Sequence, residues 1–139
     1  MTKSNKMIKT LFFLATFVLS ATGFADNVAI DNQTSHPSKE RQSRMAVQWA
    51  SSAQAVDDAN KAMMCGKPLD MSQVQIIDKS GNVTLKIPKD AEHLRVLVWT
   101  KSSGEPDLVT NWVDVVPNKT YMIKTDHLIP VVLMPGSGC

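Results

Sequence analysis

Apolar residues change rhythm twice along this chain of 139 residues, and the changes divide it into three stretches. An almost unbroken apolar run comes first, from Leu11 to Leu19. In the second stretch Met45, Trp49, Ala53, Val56, Ala59 and Met63 recur at steps of three or four, while Arg41, Arg44, Gln48, Asp58 and Lys61 fall largely off that stripe. A 3.6-residue period is the mark of an amphipathic helix. Ser38 stands as N-cap after Pro37, and Gly66 and Pro68 supply a stop. The spacing predicts one helix over 39–64, up to about seven turns long at 3.6 residues per turn.

After Pro68 the pattern becomes that of short strands. Val74–Ile77 and Val83–Ile87 are β-type runs with turn residues between them, the signature of a hairpin. Leu94–Thr100 is the strongest strand pattern, and a polar loop from Lys101 to Asp107 follows it. Leu108–Val116, Tyr121–Lys124 and Leu128–Met134 complete six strands, with Pro130 placing the last at a sheet edge. The prediction is an α+β domain over 38–139: an N-terminal amphipathic helix packed on a small antiparallel β-sandwich, immunoglobulin-like or an open barrel. Residues 26–37 are polar without a sustained period and read as a flexible arm.

The first run has another meaning. Lys3, Lys6 and Lys9 precede it and the small-residue exit Gly23-Phe24-Ala25 follows it, which is the layout of a secretory signal peptide over 1–25. Its apolar core is shorter than the roughly 20 residues of a membrane-spanning helix, so no stable span is expected after cleavage. The expected location is periplasmic or secreted. Without the three leader lysines the chain carries 12 basic against 13 acidic side chains, no excess of the kind that attracts nucleic acid.

Cys65 and Cys139 are the only cysteines. An even pair in an exported chain points to a disulfide, here closing a loop of about 75 residues, worth roughly 4–5 kcal/mol in the chain-entropy model. Free thiols, an intermolecular bridge, or a carrier thiol on the Gly136-Ser137-Gly138 arm are the alternatives. Three Asn-x-Ser/Thr triplets begin at Asn32, Asn82 and Asn118; they matter only in a glycosylating pathway, and the compact lysine-rich leader looks bacterial.

The chemistry on offer is sparse. His36, His93 and His127 are far apart, and no metal-helix, nucleophile-elbow or phosphate-loop pattern occurs. No catalytic residue, metal or cofactor is therefore assigned. The expected function is a non-enzymatic module that binds a protein partner, such as an accessory subunit of an envelope or secretion assembly or a periplasmic inhibitor or immunity protein. Trp99 and Trp112, flanking the polar loop, together with Lys101, Glu105 and Pro130 are the candidate contact residues. The alternative is a redox or copper-handling carrier using Cys65, Cys139 and the nearby Met63, Met64, Met71 and Met134, because soft sulfur ligands select Cu(I). Against it, methionines also fill irregular apolar seams.

Overall fold

The computed structural model describes residues 26–134. The signal-peptide segment 1–25 and the terminal segment 135–139, with Cys139, lie outside the described residues. The described chain is mostly β, with two sheets and one helix.

The helix is half as long as its periodicity predicts. Arg44–Ala50 is a strand, β2, and only Ala53–Met64 is helical, α1. Met45 and Trp49 lie four apart, a spacing that satisfies both a 3.6 and a 2-residue period. The decisive residue is Val47 between them: Met45, Val47 and Trp49 are buried on one face of β2, and Ala46, Gln48 and Ala50 on the other. A strand covered on both sides loses the apolar–polar alternation that would identify it. The helix begins where Ser52 accepts the Ala55 N–H at 3.0 Å. It ends in a Schellman turn, with Lys67 N–H on Ala62 O and Gly66 N–H on Met63 O. Gly66 has φ +70°, which the missing Cβ makes accessible.

The expected flexible arm is also ordered. Asn27–Asn32 forms β1, with Val28, Ile30 and Asn32 buried, and it occupies the centre of a three-stranded sheet. On one side it pairs antiparallel with β4 (Gly81–Lys86) and on the other in parallel with β8 (Thr120–Ile123). The fold is therefore not purely antiparallel. Two apolar residues were too few to register as a period among polar neighbours, yet two are enough to seat a central strand when both face the core.

The second sheet runs β3 (Val74–Ile77), β2, β5 (His93–Trp99), β6 (Leu108–Val109), β9 (Ile129–Pro130), with β7 (Val113–Asp114) also paired to β5. The expected hairpin between β3 and β4 does not form. The two strands part at Asp78, β3 joining β2 and β4 joining β1 in the other sheet. Pro130 does lie in an edge strand, but that strand stops there and Val131–Leu133 turns into a 3-10 helix.

Both sheets contribute to one apolar core. Val28, Ile30, Leu85, Tyr121 and Ile123 of the smaller sheet join a buried cluster with Met45, Val47, Trp49, Ile77, Leu94, Val96 and Val98 of the larger. A second, smaller cluster lies on the opposite face of the larger sheet. There Ala46, Leu97, Trp99 and Val109 are packed by Met63, Leu69, Val74, Val131 and Met134.

Candidate functional site

The helix-covered face of the larger sheet is where polar chemistry enters the interior. Ala46 and Leu97 face each other across β2 and β5, and one step along Gln48 faces Arg95. Arg95 is 1% exposed and has no carboxylate within ion-pair distance among the described residues. Its Nε donates to Gln48 Oε1 at 2.7 Å and its Nη1 to Asn60 Oδ1 of α1 at 2.8 Å. The guanidinium stacks on Trp112, 4.4 Å from the ring centroid, and Trp112 Nε1 donates to the same Asn60 oxygen at 3.0 Å. Nη2 is buried without a hydrogen bond. Burial pushes the guanidinium pKa down to about 10, because desolvation disfavours the charged form.

A break in the strand beside β5 delivers Trp112 to this position. β6 pairs with Leu97 and Val98, β7 with His93 and Leu94, and between them Thr110 keeps one backbone bond to Val96 O at 3.0 Å before residues 111 and 112 leave the ladder. Thr110 Oγ1 accepts the Val96 N–H at 2.9 Å, a side-chain oxygen serving where a strand would offer a carbonyl. Interruptions of this kind re-aim side chains at functional and structural sites alike.

Two hollows flank this network. A cleft of about 390 Å³ lies beside α1, with Ala50, Ala55, Ala59 and Ala62 in its lining and Glu105 and Pro106 of the polar loop at its border. Glu105 Oε1 accepts the Leu69 N–H at 2.8 Å, tying the loop to the segment after the helix. A groove of about 460 Å³ opens beside β8, lined by Leu94, Val113, Tyr121, Ile123 and Ile129 among others.

The candidate contact residues separate in space. Trp99 is buried, 4% exposed, with Arg44 stacked on it at 4.9 Å, so it belongs to packing rather than to a contact surface. Trp112 is half-buried against Arg95. Lys101, Glu105 and Pro130 are exposed. Cys65 is the C-cap of α1. Among the methionines, Met63 and Met134 pack on the Trp99 cluster and Met71 is exposed. Among the described residues no group of three or more His, Cys, Asp and Glu stands ready to hold a metal ion, and no helix is long and apolar enough to cross a membrane.

Sequence reasoning missed one juxtaposition altogether. His36 Nδ1 lies 2.9 Å from Ser43 Oγ, across the connection between β1 and β2. Burial, then the charge of Arg41, lowers the His36 pKa, and Asp107 opposes them. A serine beside a histidine is the nucleophile–base pairing of covalent catalysis. Here Ser43 is 5% exposed, and its oxygen also accepts the Ser38 N–H at 2.9 Å. Asp107 is occupied with the Thr100 N–H and hydroxyl. These bonds fix the connection and the base of the 101–106 loop. Asn32, the start of one glycosylation triplet, is buried and bonded to Thr34 and His36 in the same knot.

Comparison with protein-family models, with curated proteins and with solved structures finds no match for this chain.

Proposed function

We propose that this chain is an exported, non-enzymatic module that binds a protein partner in the periplasm or outside the cell. One observation carries the reading: large apolar side chains are left in solvent on strands with an unpaired edge and on the turn beyond the last strand. Ile76 on β3, Met122 on β8 and Val113 on β7 are 54%, 48% and 41% exposed, and Val132 and Leu133 beyond β9 are 88% and 70% exposed. Unpaired strand edges bearing apolar residues are surfaces on which another chain can add.

The body that presents these edges is an immunoglobulin-like β-sandwich on this reading. Support comes from the core shared by both sheets and from Tyr121. Its hydroxyl donates to Asp114 O at 2.6 Å and accepts the Val116 N–H at 2.8 Å. A tyrosine folding back on the backbone a few residues upstream is a recurring device of such sandwiches. Export is proposed from the leader pattern, and the Cys65–Cys139 bridge from the route of the chain. Met134 packs on the same cluster as Met63, two residues before Cys65. Five residues separate Met134 from Cys139 along the chain, enough to span more than about ten ångströms if extended at about 3.3 Å per residue.

Photo-crosslinking amino acids placed at Met122, Val132 and Ile76, each in mature protein returned to the cell envelope, test the reading. The expected result is a discrete covalent adduct with one protein from at least one position. Recovery of monomer alone from all three, alongside catalytic turnover by the purified chain, overturns it.

A further inference from the structure

We propose that the cleft beside α1 binds a free α-amino acid with an aliphatic side chain, its carboxylate directed to the floor at Gln48 and its ammonium to the acidic rim. None of the exposed apolar residues that carry the protein-binding reading lines this cleft, so the two surfaces are separate.

The space comes from short side chains on one side of the helix. Ala55, Ala59 and Ala62 recur at helical spacing and all line the cleft, and none reaches past Cβ. Met63 and Leu69 extend the apolar wall. The volume of about 390 Å³ lies near the lower end of the roughly 300–1,000 Å³ of small-molecule sites, which suits a ligand of amino-acid size.

The polarity of the cleft reverses with depth. Gln48, 5% exposed, is the buried polar side chain that lines it. Arg95 Nε can only donate, so Gln48 must turn Oε1 toward it, at 2.7 Å, and its amino end away. Among the described residues that amino group makes no hydrogen bond. It is the donor left for an acceptor in the cleft. Behind it stands the Arg95 guanidinium, with Nη2 unbonded and no carboxylate in ion-pair range among the described residues. A buried charge of this kind is costly without a counter-charge, and an anion held at Gln48 supplies one.

The rim has the opposite sign. Asp58, Asp70 and Glu105 line it against Lys67 alone, and all four are exposed. The Ser72 hydroxyl and N–H donate to Asp70 and hold its carboxyl below the usual range, so it stays charged. A simple anion is repelled by this rim, and a simple cation gains nothing at the floor and meets the charge of Arg95. A ligand carrying both charges a few bonds apart meets both ends favourably, which is selection by repulsion as well as attraction.

Three probes titrated into the isotope-labelled mature chain by NMR test this: L-leucine, 4-methylpentanoate and 3-methylbutylamine. The first carries both charges, the second only the carboxylate and the third only the ammonium. The expected result is saturable binding of leucine, with shifts at the Gln48 side-chain amide and along α1, and at least tenfold weaker binding of each analogue. Asp70→Asn combined with Glu105→Gln keeps an acceptor oxygen for Ser72 and for Leu69, and should weaken leucine at least tenfold without weakening 4-methylpentanoate. Ala59→Leu, which fills the cleft, should abolish leucine binding; the amide spectrum of each variant reports whether the fold is kept. No saturable binding of leucine, equal affinity for the three probes, tightest binding of the amine, or shifts confined to the groove beside β8 each overturn the proposal. Crosslinking from Met122, Val132 and Ile76 reads the protein-binding surface independently of all these outcomes.

Discussion

Replacing Arg95 by methionine should leave stability nearly unchanged, and the reason lies in the balance around a buried charge without an acid. The substitution removes hydrogen bonds of 2.7 and 2.8 Å and a ring stack of 4.4 Å. Gln48 Oε1 is then buried without its donor, which costs about 1–3 kcal/mol, and the stack was worth about 1 kcal/mol. Asn60 Oδ1 keeps the Trp112 N–H. Against these losses stands the desolvation of the guanidinium. A pKa pushed down to about 10 by burial corresponds to roughly 3 kcal/mol disfavouring the charged form. The terms nearly cancel, so Arg95→Met should lie within about 1 kcal/mol of the parent.

Gln48→Leu alone should behave differently, because it leaves a second nitrogen of the buried cation unpaired beside Nη2. A loss of about 2–3 kcal/mol is expected, the range for a hydrogen bond to a charged group. The double variant removes charge and acceptor together and should equal or exceed the parent, as buried ion networks replaced by apolar packing often do. Urea denaturation of the four proteins gives the cycle directly, provided the slopes agree. A coupling energy of at least 2 kcal/mol is expected. Additivity within about 0.5 kcal/mol would show that Arg95 and Gln48 do not act as a unit, and the account of this interface would be wrong.

Three further outcomes are expected. Tyr121→Phe deletes a hydroxyl bonded to Asp114 O and the Val116 N–H and should lower stability in urea by about 1–3 kcal/mol; an unchanged midpoint would remove this tyrosine as a support for the sandwich reading. Cys139→Ser should cost about 2–4 kcal/mol, and the intact parent should weigh two hydrogens less than its reduced form; a mutant that keeps parental stability refutes the clamp. His36 has its pKa lowered from 6.5 by burial, so below that value the unfolded chain binds more protons than the folded one and stability falls as the pH drops. His36→Gln should flatten the stability profile below about pH 6.5, and an unchanged slope would place the acid sensitivity elsewhere.

How much of the fold was legible depended on how many faces each element buries. β5 announced itself through a continuous run, and the end of α1 through the Gly66 stop; its start did not, because the cap is Ser52 and not the expected Ser38. β2 was read as helix because its two faces are buried against different partners, Met45, Val47 and Trp49 against the smaller sheet and Ala46, Gln48 and Ala50 beneath α1. With both faces apolar or small, the four-residue interval from Met45 to Trp49 could be read in either period. The failed hairpin has a related cause. Turn residues at Asp78–Asn82 fix a change of direction, but only tertiary packing decides whether the next strand returns to its neighbour or crosses to the other sheet.

The site was less legible than the fold, and Arg95 shows why. It is the one charged residue of the Leu94–Thr100 run, and nothing nearby in sequence marks it as buried. Its partners arrive from three other elements: Gln48 from β2, Asn60 from α1 and Trp112 from the gap between β6 and β7. The half-buried side of α1 presents Asn60 toward the sheet, and the guanidinium lies between the two with its nitrogens bonded to Asn60 and Gln48. Trp112 was singled out in the sequence as one of a flanking pair, but the pairing that matters is with a cation four residues before Trp99. What the linear pattern records well is the burial of each residue's own strand or helix. It records poorly the polar side chains that cross between elements, and those are the groups on which the helix–sheet interface depends.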